Sequence, residues 1–328
     1  MKKKNIIIGS VIGIVILIVG IVIGYFALPQ SDSPTAAVSS TPAISTASSS
    51  SGYALLDGGV VYNSTEHFIV NFEPLRIQMT NIQKQYSEPT YVYFEYLNNT
   101  ASIGLNSRTL FTAASTIKVP LAMAVYKMAE EGKLKMTDTY TLQQSDLDDN
   151  FGDLYKVGAG QSYTIEQLVS IMLENSDNTA MNALLSILKN IGITDPFADV
   201  YDAMGWDYPP DFGTAPSYIN IDLHTLSNMF TSLYEATYDN VPDSQAMLSY
   251  LTQTPFHDEI VAGVPSGITV AHKIGVADQN NTFSDCGIVY APSRPYLLCV
   301  GSTGADTQTA DRFISQVSKI TYQYIINN

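Results

Sequence analysis

The chain has 328 residues, of which 45% are hydrophobic and 14% are charged, and its formal net charge is -15 at pH 7. This negative charge argues against nucleic acid or an anionic lipid surface as the ligand, because both repel an acidic protein. The two cysteines and four histidines show none of the spacings typical of metal sites, so we expect neither a metal nor another cofactor.

An apolar segment opens the chain. Three lysines precede 23 uncharged residues at positions 6–28, and a helix of that length spans the roughly 30 Å core of a bilayer. The run is longer than the roughly 7–15 apolar residues of a secretory signal. We therefore predict a single-pass membrane anchor over residues 1–30, with the remainder of the chain outside the cell. A cleaved signal, giving a secreted protein, is the alternative.

The next segment is rich in small polar residues. Residues 31–52 consist mainly of Ser, Thr, Ala and Pro with a single charge, a composition typical of a flexible linker. The folded part then covers residues 53–328, which suits one large domain or two closely packed ones. We expect a monomer.

Hydrophobic spacing predicts the elements of this folded part. The predicted helices are 75–87, 115–132, 164–174, 178–190, 221–235 and 307–326, with a hairpin around "NNT" at 98–100 and three strands after residue 265. Thr164 and Gln167 form a capping box at one helix start. Strands near both ends predict an α+β fold, in which an antiparallel sheet from N- and C-terminal segments is flanked by helices and an all-helical lobe is inserted at about 116–255. We expect a ligand site between the two lobes.

The two cysteines flank a predicted turn. Cys286 and Cys299 lie on either side of "APSRP", so a hairpin centred there places them opposite each other. Outside the cell we expect a disulfide, which stabilises the fold by about 3 kcal/mol. Two buried free thiols are the alternative.

Three short motifs follow one another in the chain: "STIK" at 115–118, "SDN" at 176–178 and "HKIG" at 272–275. Each alone has an ordinary structural explanation as a helix cap, a turn or part of a strand. Their order is what indicates a site, because the similar "SILK" at 186–189 follows "SDN" and falls within a predicted helix.

The first motif has the residues of an activated nucleophile. A serine hydroxyl is a weak nucleophile and needs a neighbouring base. Ser115 and Lys118 lie one helical turn apart, so the amine can reach the hydroxyl. A lysine acts as a base only when its pKa falls from about 10.4 to near 7, and this requires burial or a second cation. Lys273 is the candidate cation, and its charge also suits a substrate carboxylate.

Together the three motifs resemble the signature of class A β-lactamases and penicillin-binding proteins. The segments "LVSIMLENSDNTAMNALL" and "VAHKIG...SDCGIVYAPSRPYLLCV" carry the resemblance, which covers about residues 65–328. It implies that Ser176 relays a proton to the leaving nitrogen and that Asn178 binds the substrate amide and steadies Lys118. It also implies substrate contacts at Gly275 and an oxyanion site between the backbone N–H groups of Ser115 and Val276.

The sequence departs from this family in two places. Class A β-lactamases use a loop glutamate to release the acyl group, but no glutamate occurs between residues 175 and 234. Asp207 and Asp211 are the acidic candidates for a deacylation base. Ile274 replaces the usual Thr or Ser of the third motif, and the lost hydrogen bond lowers carboxylate recognition by about 1.5–3 kcal/mol.

Three functions fit this sequence. The first is a β-lactamase-like serine hydrolase that forms an acyl-enzyme at Ser115 with a β-lactam. The second is a D-alanyl-D-alanine peptidase that acts on a peptidoglycan stem peptide and releases β-lactams slowly. The third is a non-catalytic domain that binds a cell-wall ligand, which the intact motif residues disfavour and the missing glutamate favours.

Overall fold

The computed structural model describes residues 53–56, 68–69, 71–205 and 220–328. The predicted anchor at 1–30 and the predicted linker at 31–52 lie outside these residues. Within the described ranges, no helix is both long enough and apolar enough to cross a membrane. This finding contradicts the predicted single-pass membrane location. We therefore withdraw that prediction and the prediction of a membrane contact.

Eight α-helices and nine β-strands lie in the described residues. The helices are α1 (Glu73–Gln83), α2 (Lys118–Glu130), α3 (Ile165–Asn175), α4 (Asn178–Asn190), α5 (Ala198–Ala203), α6 (Leu223–Glu235), α7 (Val241–Leu251) and α8 (Thr307–Asn327). The strands are β1 (Thr90–Tyr96), β2 (Ala101–Leu105), β3 (Phe111–Thr112), β4 (Thr139–Thr141), β5 (Ser162–Thr164), β6 (Asn220–Ile221), β7 (Val270–Ala277), β8 (Thr282–Val289) and β9 (Tyr296–Thr303).

The main sheet joins strands from the two ends of the described domain. Its order is β2-β1-β9-β8-β7, and every neighbouring pair is antiparallel. The predicted α+β fold is confirmed. The inserted lobe is not wholly helical, because β4 pairs with β5 within it and its strand β6 pairs with β3, which precedes the lobe.

Two apolar layers cover the two faces of this sheet. On one face α1 and α8 pack over strand residues such as Phe94 and Tyr296, with Phe313 of α8 fully buried. The inserted lobe packs on the other face through residues such as Met172 and Phe230. Each large apolar side chain buried in this way contributes about 1.5–3 kcal/mol. Since both faces are covered, the strand β7 is held from two sides.

Local signals explain where the helices begin. Thr164 Oγ1 accepts from the N–H of Gln167 while Gln167 Oε1 accepts from the N–H of Thr164, so the predicted capping box of α3 is confirmed. The predictions missed α5 and α7. For α7 the signals were present, since Asn240 caps the helix and Pro242 lies in its first turn.

The hairpin of β8 and β9 also follows the prediction. Cys286 and Cys299 are directly paired in the register of the two strands, and their sulfurs are bonded. The expected disulfide is confirmed, and both residues are fully buried.

Candidate active site

The first motif forms a tight turn where the sequence predicted the start of a helix. Residues Ala114–Ile117 form a 3₁₀ turn, and α2 begins only at Lys118. Ala114 has a φ of 48°, in the left-handed region that costs an L-residue about 1–2 kcal/mol. Such strain is often found beside functional groups. Here it immediately precedes Ser115, which is half-buried.

Lys118 is held by groups from the first two motifs. Its Nζ lies 3.0 Å from Ser115 Oγ, 2.7 Å from Asn178 Oδ1 and 2.5 Å from the carbonyl oxygen of Ser176. The side chain is only 1% exposed. Among the described residues no carboxylate forms an ion pair with it. The arrangement presents a dry amine to a serine hydroxyl.

Ser176 lies at a sharp change of direction between α3 and α4. It has a left-handed φ of 55° and is fully buried. The next residue, Asp177, caps α4 by accepting from the N–H of Ala180 and also accepts from the N–H of Leu154. These bonds fix the second motif against a neighbouring loop.

Asn178 completes this loop and is half-buried. Its N–H donates to the carbonyl oxygen of Phe151, and its Nδ2 donates to Asp148 Oδ1 at 3.2 Å. Because Asp148 orients the amide in this way, the amide oxygen faces Lys118. Hydrogen bonds from Asn150 and Asn178 outweigh burial and lower the pKa of Asp148.

The third motif brings a second buried amine to the same place. Lys273 on β7 is 1% exposed, and its Nζ lies 2.8 Å from Ser176 Oγ. The same nitrogen lies 5.9 Å from the centre of the Phe256 ring. Lys118 Nζ reaches Ser176 Oγ too, at 3.3 Å. Two amines therefore contact one hydroxyl.

Burial of these two amines changes their proton affinity. Burial, followed by the charge of Lys273, holds the pKa of Lys118 well below its usual range, although Asp177 and Asp148 oppose the shift. Burial also lowers the pKa of Lys273 to about 7, with Asp285 opposing that shift. Lys118 is the candidate base of the two, because its Nζ also contacts Ser115 Oγ.

Gly275 and Val276 continue β7 past the turn that carries Ser115. A Cβ atom at Gly275 would come within 2.8 Å of Ser284 Oγ and 2.9 Å of Thr116 Cγ2, so only glycine allows this approach. Val276 is half-buried at the end of the strand. The oxyanion role of its N–H remains a prediction.

A cavity of about 530 Å³ opens beside the second motif. Phe151 and Phe256 line it from two loops, and their rings lie 5.7 Å apart. Asp177 and Leu154 line it as well. Its aromatic walls suit an apolar group, and one of them, Phe256, is the ring that lies near Lys273 Nζ.

Other candidate residues lie elsewhere. In the motif at 186–189, Ser186 Oγ donates to Asp146 Oδ1 at 2.9 Å, away from the first motif. Asp207 and Asp211, the candidate deacylation bases, lie outside the described residues. In the part of the chain that the structure describes, no group of three or more His, Cys, Asp or Glu side chains could hold a metal ion.

Some residues that shape the site belong to none of the three motifs. Asp148 orients Asn178, and its only signal was a place in the acidic run "SDLDDN". Asp285 binds His272 Nδ1 with an Oδ1 distance of 2.8 Å, a contact that depends on strand register. Phe256 lies in no recognisable motif, so no sequence pattern indicated it.

Comparison with known proteins identifies the family. A family model described as a β-lactamase enzyme family matches residues 74–325. The chain belongs to the β-lactamase enzyme family. The expectation of an enzyme of this group is thereby confirmed.

Several known proteins are similar to this chain at low sequence identity. The extended-spectrum β-lactamase PER-1 of Pseudomonas aeruginosa is 24% identical over 241 residues, covering 67% of this chain and 77% of that protein. The structure of PBP-A has a TM-score of 0.69 and 21% identity, covering 78% of this chain and 97% of the other. A mutant of PBP-A, solved as an acyl-enzyme complex with penicillin G, has a TM-score of 0.68 and 22% identity, with coverage of 78% and 97%.

Proposed function

We propose that this protein is a serine hydrolase that opens β-lactams through a covalent ester at Ser115. The distance of 3.0 Å between Lys118 Nζ and Ser115 Oγ carries the proposal, because the lysine is buried and has a lowered pKa. Such an amine is neutral at a pH where an exposed lysine is an ammonium, and so it can accept the serine proton. Membership of the β-lactamase enzyme family supports this reading.

The first step forms the ester. Ser115 Oγ attacks the lactam carbonyl carbon while its proton passes to Lys118 Nζ. The carbonyl oxygen becomes an oxyanion, and the N–H groups of Ser115 and Val276 are the proposed donors to it. Lys273 and Gly275 lie on the strand beside this position and are proposed to hold the substrate, with the ammonium facing its carboxylate.

The second step breaks the carbon–nitrogen bond. As the oxyanion collapses, Ser176 gives its hydroxyl proton to the leaving nitrogen and regains one from Lys118, whose Nζ is 3.3 Å away. The net result is transfer of the Ser115 proton to the nitrogen. Asn178 is proposed to bind the substrate amide while it holds Lys118.

Release of the ester distinguishes the main proposal from its alternative. The chain has no glutamate between residues 175 and 234 to activate water. Asp207 and Asp211 are proposed substitutes, each one methylene shorter than glutamate. This departure favours the second candidate, a D-alanyl-D-alanine peptidase that acts on a peptidoglycan stem peptide and holds the penicillin adduct.

The test uses the full chain and a fluorescent penicillin, with intact mass followed over time. Rapid labelling and rapid loss are expected for a β-lactamase, whereas a lasting adduct indicates the peptidase. Ser115→Ala is expected to abolish labelling. Ser186→Ala is the matched control, since it removes the serine of the similar "SILK" motif, and it is expected to label normally.

Two results would overturn the proposal. Absence of any adduct with the unmodified chain removes both catalytic candidates and leaves a binding domain. Labelling of Ser115→Ala removes Ser115 as the nucleophile.

A further inference from the structure

A buried carboxylate behind β7 takes no part in the steps above. Asp285 on β8 is fully buried. Its carboxylate contacts His272 Nδ1 at 2.8 Å and accepts from the N–H of Ile260 at 3.0 Å. An ionised carboxylate only accepts hydrogen bonds, and both neighbours here can donate to it.

The charge state of the histidine follows from its other nitrogen. His272 is 1% exposed, and its Nε2 has no hydrogen-bond partner among the described residues. A proton on that nitrogen would be buried without an acceptor, which costs about 1–3 kcal/mol or more. The imidazole is therefore neutral, with its proton on Nδ1. The His272–Asp285 pair then carries a net negative charge.

This charge lies beside Lys273 along the strand, on the other face of the sheet. His272 precedes Lys273 on β7, and Ile274, the residue after it, is paired with Asp285. Lys273 forms no salt bridge within the described part of the chain. Asp285 is the charge that most favours its ammonium form, and Glu259 adds to this effect only when it is ionised.

The other acidic group on this side is neutral. Burial, with the charges of Asp285 and Asp311, raises the pKa of Glu259 to about 9, and Asp258 adds to the effect. The raised pKa keeps Glu259 mainly protonated at neutral pH, so Asp285 is the carboxylate whose charge acts on Lys273.

The two lysines compete for one proton. Both amines contact Ser176 Oγ, and two ammonium groups this close repel each other in a dry site. Asp177 and Asp148 favour a proton on Lys118. The charge behind β7 favours a proton on Lys273.

We propose that the His272–Asp285 pair is a positioning element that keeps this proton on Lys273 and so leaves Lys118 neutral as the base for Ser115. The proposal rests on the proposed function for its catalytic meaning. The assignment of the proton to Lys273 depends only on the contacts of the buried groups. Asp285 acts through the two lysines and does not touch the substrate.

The test compares the full chain with Asp285→Asn by two measurements. The first is the pH titration of the Lys118 and Lys273 side chains by carbon-13 NMR. In the unmodified chain Lys118 is expected to titrate at lower pH than Lys273, and in the variant the pKa of Lys273 is expected to fall by at least about one unit. The second is the pH profile of acylation by fluorescent penicillin, whose alkaline limb is expected to move down by the same amount.

The control variant alters the surroundings of Asp285 without removing a charged group. Ser318 Oγ donates to the carbonyl oxygen of Ile260, so Ser318→Ala disturbs the loop that binds Asp285. It is expected to leave both titrations in place. His272→Gln keeps a donor for Asp285 and is expected to preserve the proton on Lys273.

Each outcome separates this inference from the proposed function. An unchanged Lys273 titration in Asp285→Asn, or an equal shift in Ser318→Ala, overturns the inference even if Ser115 is labelled. A shifted titration with no labelling of the unmodified chain supports the inference and rejects the catalytic function. If Asp285→Asn fails to fold, the order of the two lysines in the unmodified chain decides, and a lower pKa for Lys273 than for Lys118 overturns the inference.

Discussion

The carbonyl oxygen of Ala113 would lie 2.9 Å from a Cβ atom placed on Gly275. The glycine therefore sets how closely β7 approaches the turn that carries Ser115. Gly275→Ala is expected to push the two apart, at a cost of about 1–3 kcal/mol in folding free energy. Because small displacements of a nucleophile are expensive, the acylation rate is expected to fall at least about tenfold. Stopped-flow labelling with a fluorescent penicillin measures this rate.

The matched control places an alanine elsewhere in the same sheet. A Cβ atom at Gly301 on β9 would lie 3.1 Å from the carbonyl oxygen of Phe283. Gly301→Ala is expected to reduce stability without slowing acylation of the folded protein. Equal rates for Gly275→Ala and the unmodified chain would refute the steric argument.

Replacing the proposed base is expected to remove the pH dependence of acylation. In the unmodified chain the rate rises as Lys118 loses its proton, and since burial lowers its pKa, the rise occurs well below the usual lysine range. Lys118→Met fills a similar volume without an amine, so the rate is expected to fall about 10²–10⁴-fold and lose that rise. Lys127→Met on the same helix is the control. A rate within tenfold of normal in Lys118→Met would assign the base elsewhere.

A buried acid on the inserted lobe is expected to limit stability. Asp239 is 2% exposed, and neither of its carboxylate oxygens has a hydrogen-bond partner among the described residues. Burial raises its pKa from 3.8 to about 8. The folded chain then binds a proton that the unfolded chain releases, so stability falls as pH rises from about 4 to 8.

Asp239→Asn removes this ionisation and is expected to raise the free energy of unfolding at pH 8 by about 1–3 kcal/mol. Urea unfolding at pH 5 and pH 8 measures the change, and the gain is expected to be larger at pH 8. The control is Asp153→Asn, because the Asp153 side chain is 83% exposed. A lower stability of Asp239→Asn at pH 8 would contradict the account.

The disulfide is expected to stabilise the sheet directly behind Lys273. Cys286 is paired with Lys273 on one side and with Cys299 on the other. Replacing both cysteines by alanine is expected to lower the free energy of unfolding by about 2–4 kcal/mol. Unfolding of the unmodified chain with a reductant present should then approach that of the double variant. If the double variant and the reduced chain both unfold at the same midpoint as the unmodified chain, the disulfide adds no stability.

The sequence was informative where a signal is local. The capping box at Thr164, the hairpin of the two cysteines and the sheet from both chain ends all followed from short patterns. The helix predicted from residue 115 was too long at its start. There a 3₁₀ turn packs closely against Gly275, and this tertiary contact has no signal in a short sequence pattern.

The candidate site shows the same difference between local signals and tertiary contacts. The motif order indicated Ser115, Lys118 and Lys273. Both lysines contact Ser176 Oγ, and Lys118 also contacts Ser115 Oγ. The His272–Asp285 contact joins two strands whose register no short pattern defines. The charges that act on the lysines therefore became visible only in the folded chain.

The pairing of β1 with β9 also constrains how the protein folds. Tyr96 pairs with Tyr296, 200 positions further along the chain, so the central strands close only after a very long loop has been ordered. Closing such loops is slow because their entropy is lost before the contacts form. The Ser115 turn rests against β7, on the late side of that loop. A chain stalled before its last strands are made would hold the nucleophile and its lysine without the surface that aligns them, so acylation by penicillin can serve as a reporter of completed folding.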